Sequence, residues 1–232
     1  MKLSERILTL FVVFCLVLLY LGLSRTTYNS IDISETLKKV KTELKSNQEL
    51  IVFKSKNPFN FKDIIKNLDI VSDQDVYGII TYPEVNKAKY PAIIGVAGSL
   101  GWGEHHLDYL RRYREIGIAT VELHSFKSRD VSSTVGEQVS ATIPMIVHDA
   151  YMLLSVLANN PKIKKERIGI TGWSLGGGVA LFSGWKKIKD LISPDYEFAA
   201  HLPVYPPCIT NVDDLDFVKN PIYILIGELD CQ

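Results

Sequence analysis

Cysteine is scarce in this 232-residue chain, and the three present, Cys15, Cys208 and Cys231, are too few for a disulfide framework. Cys15 falls inside an apolar run. Cys208 and Cys231 could pair in an oxidising compartment, with two unlinked thiols as the plainer expectation. An excess of charge is missing too. The 26 basic and 26 acidic side chains cancel, which removes the electrostatic case for a nucleic-acid partner. The chain holds no internal repeat and no low-complexity tract. Its glycine-rich segments carry neither a Walker lysine nor the dinucleotide spacing of glycines, which excludes a phosphate cradle of either kind. Histidine is sparse as well, with five residues and none after His201.

What is present describes a globular protein. Hydrophobic residues make up 47% and charged residues 22%, enough apolar material for one domain held without disulfide or metal. A chain of this length buries roughly 70% of its unfolded surface. Residues 7–23 are apolar apart from Thr9, Tyr20 and Gly22, and Lys2 and Arg6 precede them. A basic lead before such a run predicts a signal anchor over residues 1–24, with a cleaved secretory signal as the alternative. The two cations would hold the N-terminus in the cytoplasm and place the rest outside, membrane-anchored or, after cleavage, secreted.

Residues 25–48 are polar and predict a tether. Ser34 is a candidate N-cap there, and Leu37, Val40 and Leu44 are spaced as on one face of a short helix. Beyond it, residues 49–232 alternate. Strands are predicted at 50–53, 76–82, 92–96, 118–123, 167–171, 198–205 and 222–226. Helices are predicted at 107–116, about 143–158 and 175–185, with Gly117 as a helix stop and residues 57–60 as a turn. Alternation of this kind calls for a mostly parallel sheet with helices on both faces, and the first two strands add an antiparallel pair.

Gly172-Trp173-Ser174-Leu175-Gly176 follows an apolar strand directly and opens a helix. That context turns a weak five-residue pattern into a nucleophile elbow, and with it an α/β-hydrolase fold. The serine must stand on a sharp strand-to-helix turn, with glycines on either side so that the two elements can approach. The helix N-terminus then offers free N–H groups to a developing oxyanion. A second donor must come from the loop after an earlier central strand, the place of Ala97-Gly98-Ser99-Leu100-Gly101. The backbone N–H groups of Ser99 and Leu175 are therefore the expected oxyanion donors. The acid follows a later strand, where Asp230 stands just past residues 222–226, Glu228 being the weaker candidate. Asp213, Asp214 and Asp216 fall in a connecting segment.

These segments in this order resemble the dienelactone hydrolases and their exported relatives. The likeness runs over about residues 75–232 and includes Ser125-Phe126, residues 132–138, Asp149-Ala150-Tyr151, the stretch 167–177, Tyr205-Pro206-Pro207-Cys208 and Gly227-Glu228-Leu229-Asp230. The resemblance implies hydrolysis of a small-molecule carboxylic ester or lactone through an acyl-enzyme, without metal or cofactor. It implies Ser174 as nucleophile and Asp230 as acid. Dienelactone hydrolases proper carry a cysteine at the nucleophile position, so Ser174 points to esterase or lactonase chemistry. Relatives often open the oxyanion loop with His-Gly, where this chain has Ala97-Gly98.

A serine nucleophile needs an imidazole within hydrogen-bond reach. In this fold that histidine follows the acid, and Gln232 ends the sequence two residues after Asp230. His105 and His106 fall near the expected mouth, His124 closes a strand, His148 is on a helix and His201 is on or beside a strand. The expectation is a serine esterase or lactonase by family, in a hydrolase domain that is C-terminally incomplete. The rival is a truncated remnant or binding module that keeps the fold with little or no turnover because the histidine after the acid is lacking.

Overall fold

The computed structural model describes residues 30–207, 214 and 216–228. The apolar segment 7–23, the three cysteines, Asp213 and Asp230 lie outside the described residues.

Six strands form one mixed sheet: β1 (Gln48–Lys56), β2 (Asp73–Thr81), β3 (Tyr90–Val96), β4 (Ala119–Leu123), β5 (Ile163–Trp173) and β6 (His201–Val204). Their spatial order is β1-β2-β4-β3-β5-β6. β4, β3, β5 and β6 run parallel, and β2 is antiparallel to both β1 and β4. This is the mostly parallel sheet with an antiparallel edge that the sequence predicts. β3 is central, and its apolar run is buried on both faces, as a parallel strand between helices must be.

The helices are α1 (Ser34–Glu43), α2 (Phe61–Lys66), α3 (Glu104–Glu115), α4 (Ile143–Ala158), α5 (Leu175–Phe182) and α6 (Lys186–Ile192). They occupy both faces of the sheet. Leu110 of α3 closes on Gly95 from one face, where a Cβ on Gly95 would stand 3.1 Å from Leu110 Cδ2. The alternate residues Ile94 and Val96 point the other way, into the core shared with α4 and α5. α4 is apolar on all sides and buried along most of its length, and its bounds match those predicted.

The differences from the predicted elements are at short pieces and ends. α2 was missed because it has only six residues, yet its cap is legible: Asn60 and Asp63 form a capping box directly after the predicted turn. The predicted helix 175–185 breaks at Ser183, and α6 starts afresh after Trp185. Residues 198–200 do not join β6. Residues 222–226 make bridges rather than a full strand, His201↔Ile222 and Val204↔Leu225, still parallel to β6. Gly117 stops α3 as predicted, with φ +85°.

The predicted tether behaves differently from residue 30 on. Ile33 is buried, and the main chain of Ile31 is held at both ends by the Gln74 amide at 3.0 Å. Gln74 also donates to the Ser128 carbonyl at 2.8 Å, so one buried amide clips α1 to β2 and to the loop after β4. Ile33, not Ser34, is the N-cap, and the Asp32 carboxylate takes the N–H and the hydroxyl of Ser34. Gln48, at the end of the predicted tether, already belongs to β1. Among the described residues no helix is long and apolar enough to cross a membrane.

Candidate active site

Ser174 sits between β5 and α5 with φ +53° and ψ −116°, a conformation that L side chains rarely adopt and that costs roughly 1–3 kcal/mol. Neighbouring main chain holds it there: its N–H donates to the Val204 carbonyl at 3.0 Å, and its carbonyl accepts from Gly178 N–H at 2.9 Å. The flanking glycines are required by contact. A Cβ on Gly172 would lie 2.1 Å from the Gly176 oxygen, and one on Gly176 would lie 2.2 Å from the Val96 oxygen. Strand β3, strand β5 and helix α5 thus meet backbone to backbone under the serine.

The loop after β3 lies against this turn. A Cβ on Gly98 would stand 3.2 Å from the Trp173 carbonyl and 3.7 Å from Ser174 Cβ. The loop is fixed by Gly101 N–H on the Gly98 carbonyl and by Thr134 N–H on the Ser99 carbonyl, both at 2.9 Å. Leu175 N–H is the first of α5, where a helix has no acceptor of its own for it. The structure therefore brings the expected donors' segments, Ser99 and Leu175, to the same place as Ser174.

Asp230 lies outside the described residues, and Glu228 is exposed. The Asp214 carboxylate accepts from Trp185 Nε1 at 2.6 Å, which ties the connecting segment to the start of α6.

Each histidine has its own setting, and among the described residues none is hydrogen-bonded to Ser174. His105 is exposed. His106 is buried rather than solvent-facing: its Nδ1 accepts from Gly103 N–H at 3.1 Å, and its ring packs on Trp173 at 4.7 Å. His124 stacks on Tyr77 at 4.8 Å. His148 Nδ1 is 2.9 Å from Ser55 Oγ. His201 Nδ1 is 3.0 Å from the Ala180 carbonyl and 3.1 Å from Ser183 Oγ. Burial is the main cause that lowers all four of these imidazoles to about 4, so each is neutral near pH 7.

The sign of the resulting pH dependence is fixed. The folded values lie below the ordinary 6.5, so the unfolded chain binds protons that the folded one refuses. Stability is full above pH 6.5 and falls as pH drops toward about 4, by on the order of 1 kcal/mol per pH unit for each well-buried histidine. Urea midpoints should therefore fall steeply between pH 6.5 and about 5, before most carboxylates titrate. A flat profile over that window would contradict these histidine environments.

A buried charge network, not anticipated from the sequence, braces the loop after β4. Arg129 and Asp149 pair at 2.7 Å with side chains 4% and 0% exposed. Asp149 also accepts from Ser55 Oγ. Asp149 is one of the residues carrying the family resemblance, but nothing local marks Arg129, 20 residues earlier, as its partner.

A cavity of about 810 Å³ borders the Ala97–Gly101 loop. Its walls include Ala97, Gly101, Trp102, His124 and Ser125 together with α1 residues, but not Ser174.

Known proteins bear on the same residues. The model of the dienelactone hydrolase family matches residues 81–232. No curated protein matches the chain. Among solved structures, a dienelactone hydrolase-like promiscuous phosphotriesterase from metagenomic libraries superposes with TM-score 0.50 at 12% identity, over 78% of this chain and 70% of that one. Est1E from Butyrivibrio proteoclasticus gives 0.45 at 17%, over 57% and 47%. The α/β hydrolase GrgF from a Penicillium species gives 0.47 at 17%, over 68% and 46%. The chain thus spans about half the length of the latter two. At 12% identity the likeness to the phosphotriesterase is one of fold.

Proposed function

The chain belongs to the dienelactone hydrolase family, and from that membership we propose that it hydrolyses carboxylic esters or lactones through an acyl-enzyme on Ser174. The observation that carries the reading is the strained turn at the head of α5, where neighbouring main chain holds the half-buried Ser174 at φ +53° in the manner of a nucleophile elbow. Ser174 Oγ attacks the substrate carbonyl and forms the acyl C–O bond, and its proton leaves with the alcohol. Water then attacks the acyl-enzyme, releasing the acid and restoring the hydroxyl. The N–H groups of Ser99 and Leu175 take the negative charge that develops on the carbonyl oxygen. Asp230 is the acid in this scheme, by chain order.

A second reading is favoured by the histidines. Since no described histidine is hydrogen-bonded to Ser174, the domain would keep the pocket and bind esters without turning them over. A fluorophosphonate probe separates the two. The hydrolase reading expects labelling that vanishes in Ser174→Ala, whereas intact protein that takes no label supports the binding module.

In the same proposal residues 1–24 anchor the chain, and the domain stands outside the cytoplasm, or is secreted where that segment is cleaved. The apolar run behind Lys2 and Arg6 supports it.

A further inference from the structure

The cavity beside the Ala97–Gly101 loop has the size of a small-ligand pocket. Val96, Ile146 and Trp102 line it, and half-buried Val40 of α1 lines it from the N-terminal segment. Trp102 has its N–H committed to the Leu123 carbonyl, so it offers its ring. The charged groups on the wall, Glu35, Lys39, Glu43, Lys127 and Asp130, are all exposed and belong to the rim.

Inside, the polar atoms are of another kind. Among the described residues His124 Nε2 and Ser125 Oγ are buried without a hydrogen-bond partner, and the Glu122 carboxylate stands 3.8 Å from Nε2. Buried polar atoms are nearly always partnered, and an orphaned pair on a cavity wall is suited to a ligand's polar group. The His124 ring is fixed by its stacking on Tyr77 and burial keeps it uncharged, so Nε2 offers one neutral donor or acceptor position, and the Glu122 carboxylate beside it disfavours an anionic ligand. The loop that borders the cavity at Ala97 and Gly101 abuts Ser174 at Gly98, which puts the cavity within one loop's width of the elbow.

We infer that this cavity receives the part of the substrate remote from the scissile bond, that it takes an uncharged aryl or alkyl group bearing a hydroxyl or similar function, and that helix α1 sets its width. The placement relative to the scissile bond rests on Ser174 as nucleophile; the binding itself does not.

The test uses full-length Ser174→Ala protein, which binds without hydrolysis, and methyl 3-(4-hydroxyphenyl)propanoate as the probe, followed by calorimetry. The ester should bind, and its free acid and methyl acetate should bind far more weakly. Val40→Trp, which fills the cavity from α1, and His124→Phe, which keeps the stack on Tyr77 but removes the polar atom, should each weaken the ester about tenfold or more. Melting temperatures near that of the parent exclude misfolding, and the two variants change lining residues on different elements, so either one suffices. Ester binding that is absent, or unchanged in both variants, overturns the inference. Probe binding lost in the variants of a protein that takes no fluorophosphonate label leaves the cavity standing and removes the nucleophile. Labelling at Ser174 with probe binding unchanged does the reverse.

Discussion

Replacing Arg129 by methionine should lower the unfolding free energy by roughly 3–5 kcal/mol, enough to leave much of the chain unfolded at ordinary temperature. The guanidinium has every N–H engaged: Nε with Asn57 Oδ1, Nη1 with the Ser125 carbonyl and Asp149, and Nη2 with the Lys56 carbonyl and Asp149. Removing it strands a fully buried Asp149 carboxylate with only Ser55 Oγ beside it, and two main-chain carbonyls lose their donor. The cost comes from the orphaned charge more than from the lost attraction. The double variant Arg129→Met with Asp149→Leu should therefore be more stable than either single variant. Urea unfolding of the three proteins gives the answer. A loss below about 1 kcal/mol in the single variants would mean the pair is solvated after all. The network also joins β1, the loop after β4 and α4, so its loss should loosen the His124–Ser125 wall of the cavity first.

The second large effect concerns the elbow, where two substitutions should move stability in opposite directions. Gly176→Ala puts a methyl 2.2 Å from the Val96 oxygen, 2.6 Å from the Ala97 oxygen and 2.7 Å from the Val96 carbonyl carbon. These are main-chain atoms, so no rotamer relieves the clash and the strand–helix contact must open. A loss of about 3 kcal/mol or more is expected, or failure to accumulate as folded protein. Ser174→Gly relaxes the φ of +53° and should raise stability by about 1 kcal/mol while abolishing fluorophosphonate labelling. Thermal melts of the two variants beside the parent decide it. A Ser174→Gly protein less stable than the parent would mean that the hydroxyl contributes more to the fold than its strained backbone costs.

The contrast between these two sites shows which parts of the molecule are legible one segment at a time. Gly172, Ser174 and Gly176 are two residues apart, and the steric demand of one tight turn dictates all three. α4 was equally readable, since its apolar residues, its Thr142 cap and the Pro144 near its start lie within one continuous stretch. α2 was readable in principle, through Asn60 and Asp63, but a helix of six residues gives too short a period to stand out. Residues 198–205 and 222–226 carry strand-like composition, yet only part of each is paired, because a strand's length is set by the neighbour it pairs with.

The histidines show the opposite case. All five are visible in the sequence, and their neighbourhoods place His105 and His106 together near a pocket mouth. The fold separated them: His106 turned inward to take the Gly103 N–H and lie on Trp173, while His105 stayed outside. His148 met Ser55 from 93 residues away, and His201 met Ser183 across α5 and β6.

By itself, then, the sequence determined the class of sheet, the glycine-framed serine at the head of a helix and the neutral charge balance, because each follows from local sterics or from simple counting. Tertiary structure alone decided that the segment before β1 docks on the domain and walls a cavity, that Arg129 finds Asp149, and where each imidazole ends. Those outcomes depend on strand register and on contacts between distant residues, as with Ser55 and Asp149, 94 positions apart. The free energy of such a contact exists only once the sheet has brought its two sides together.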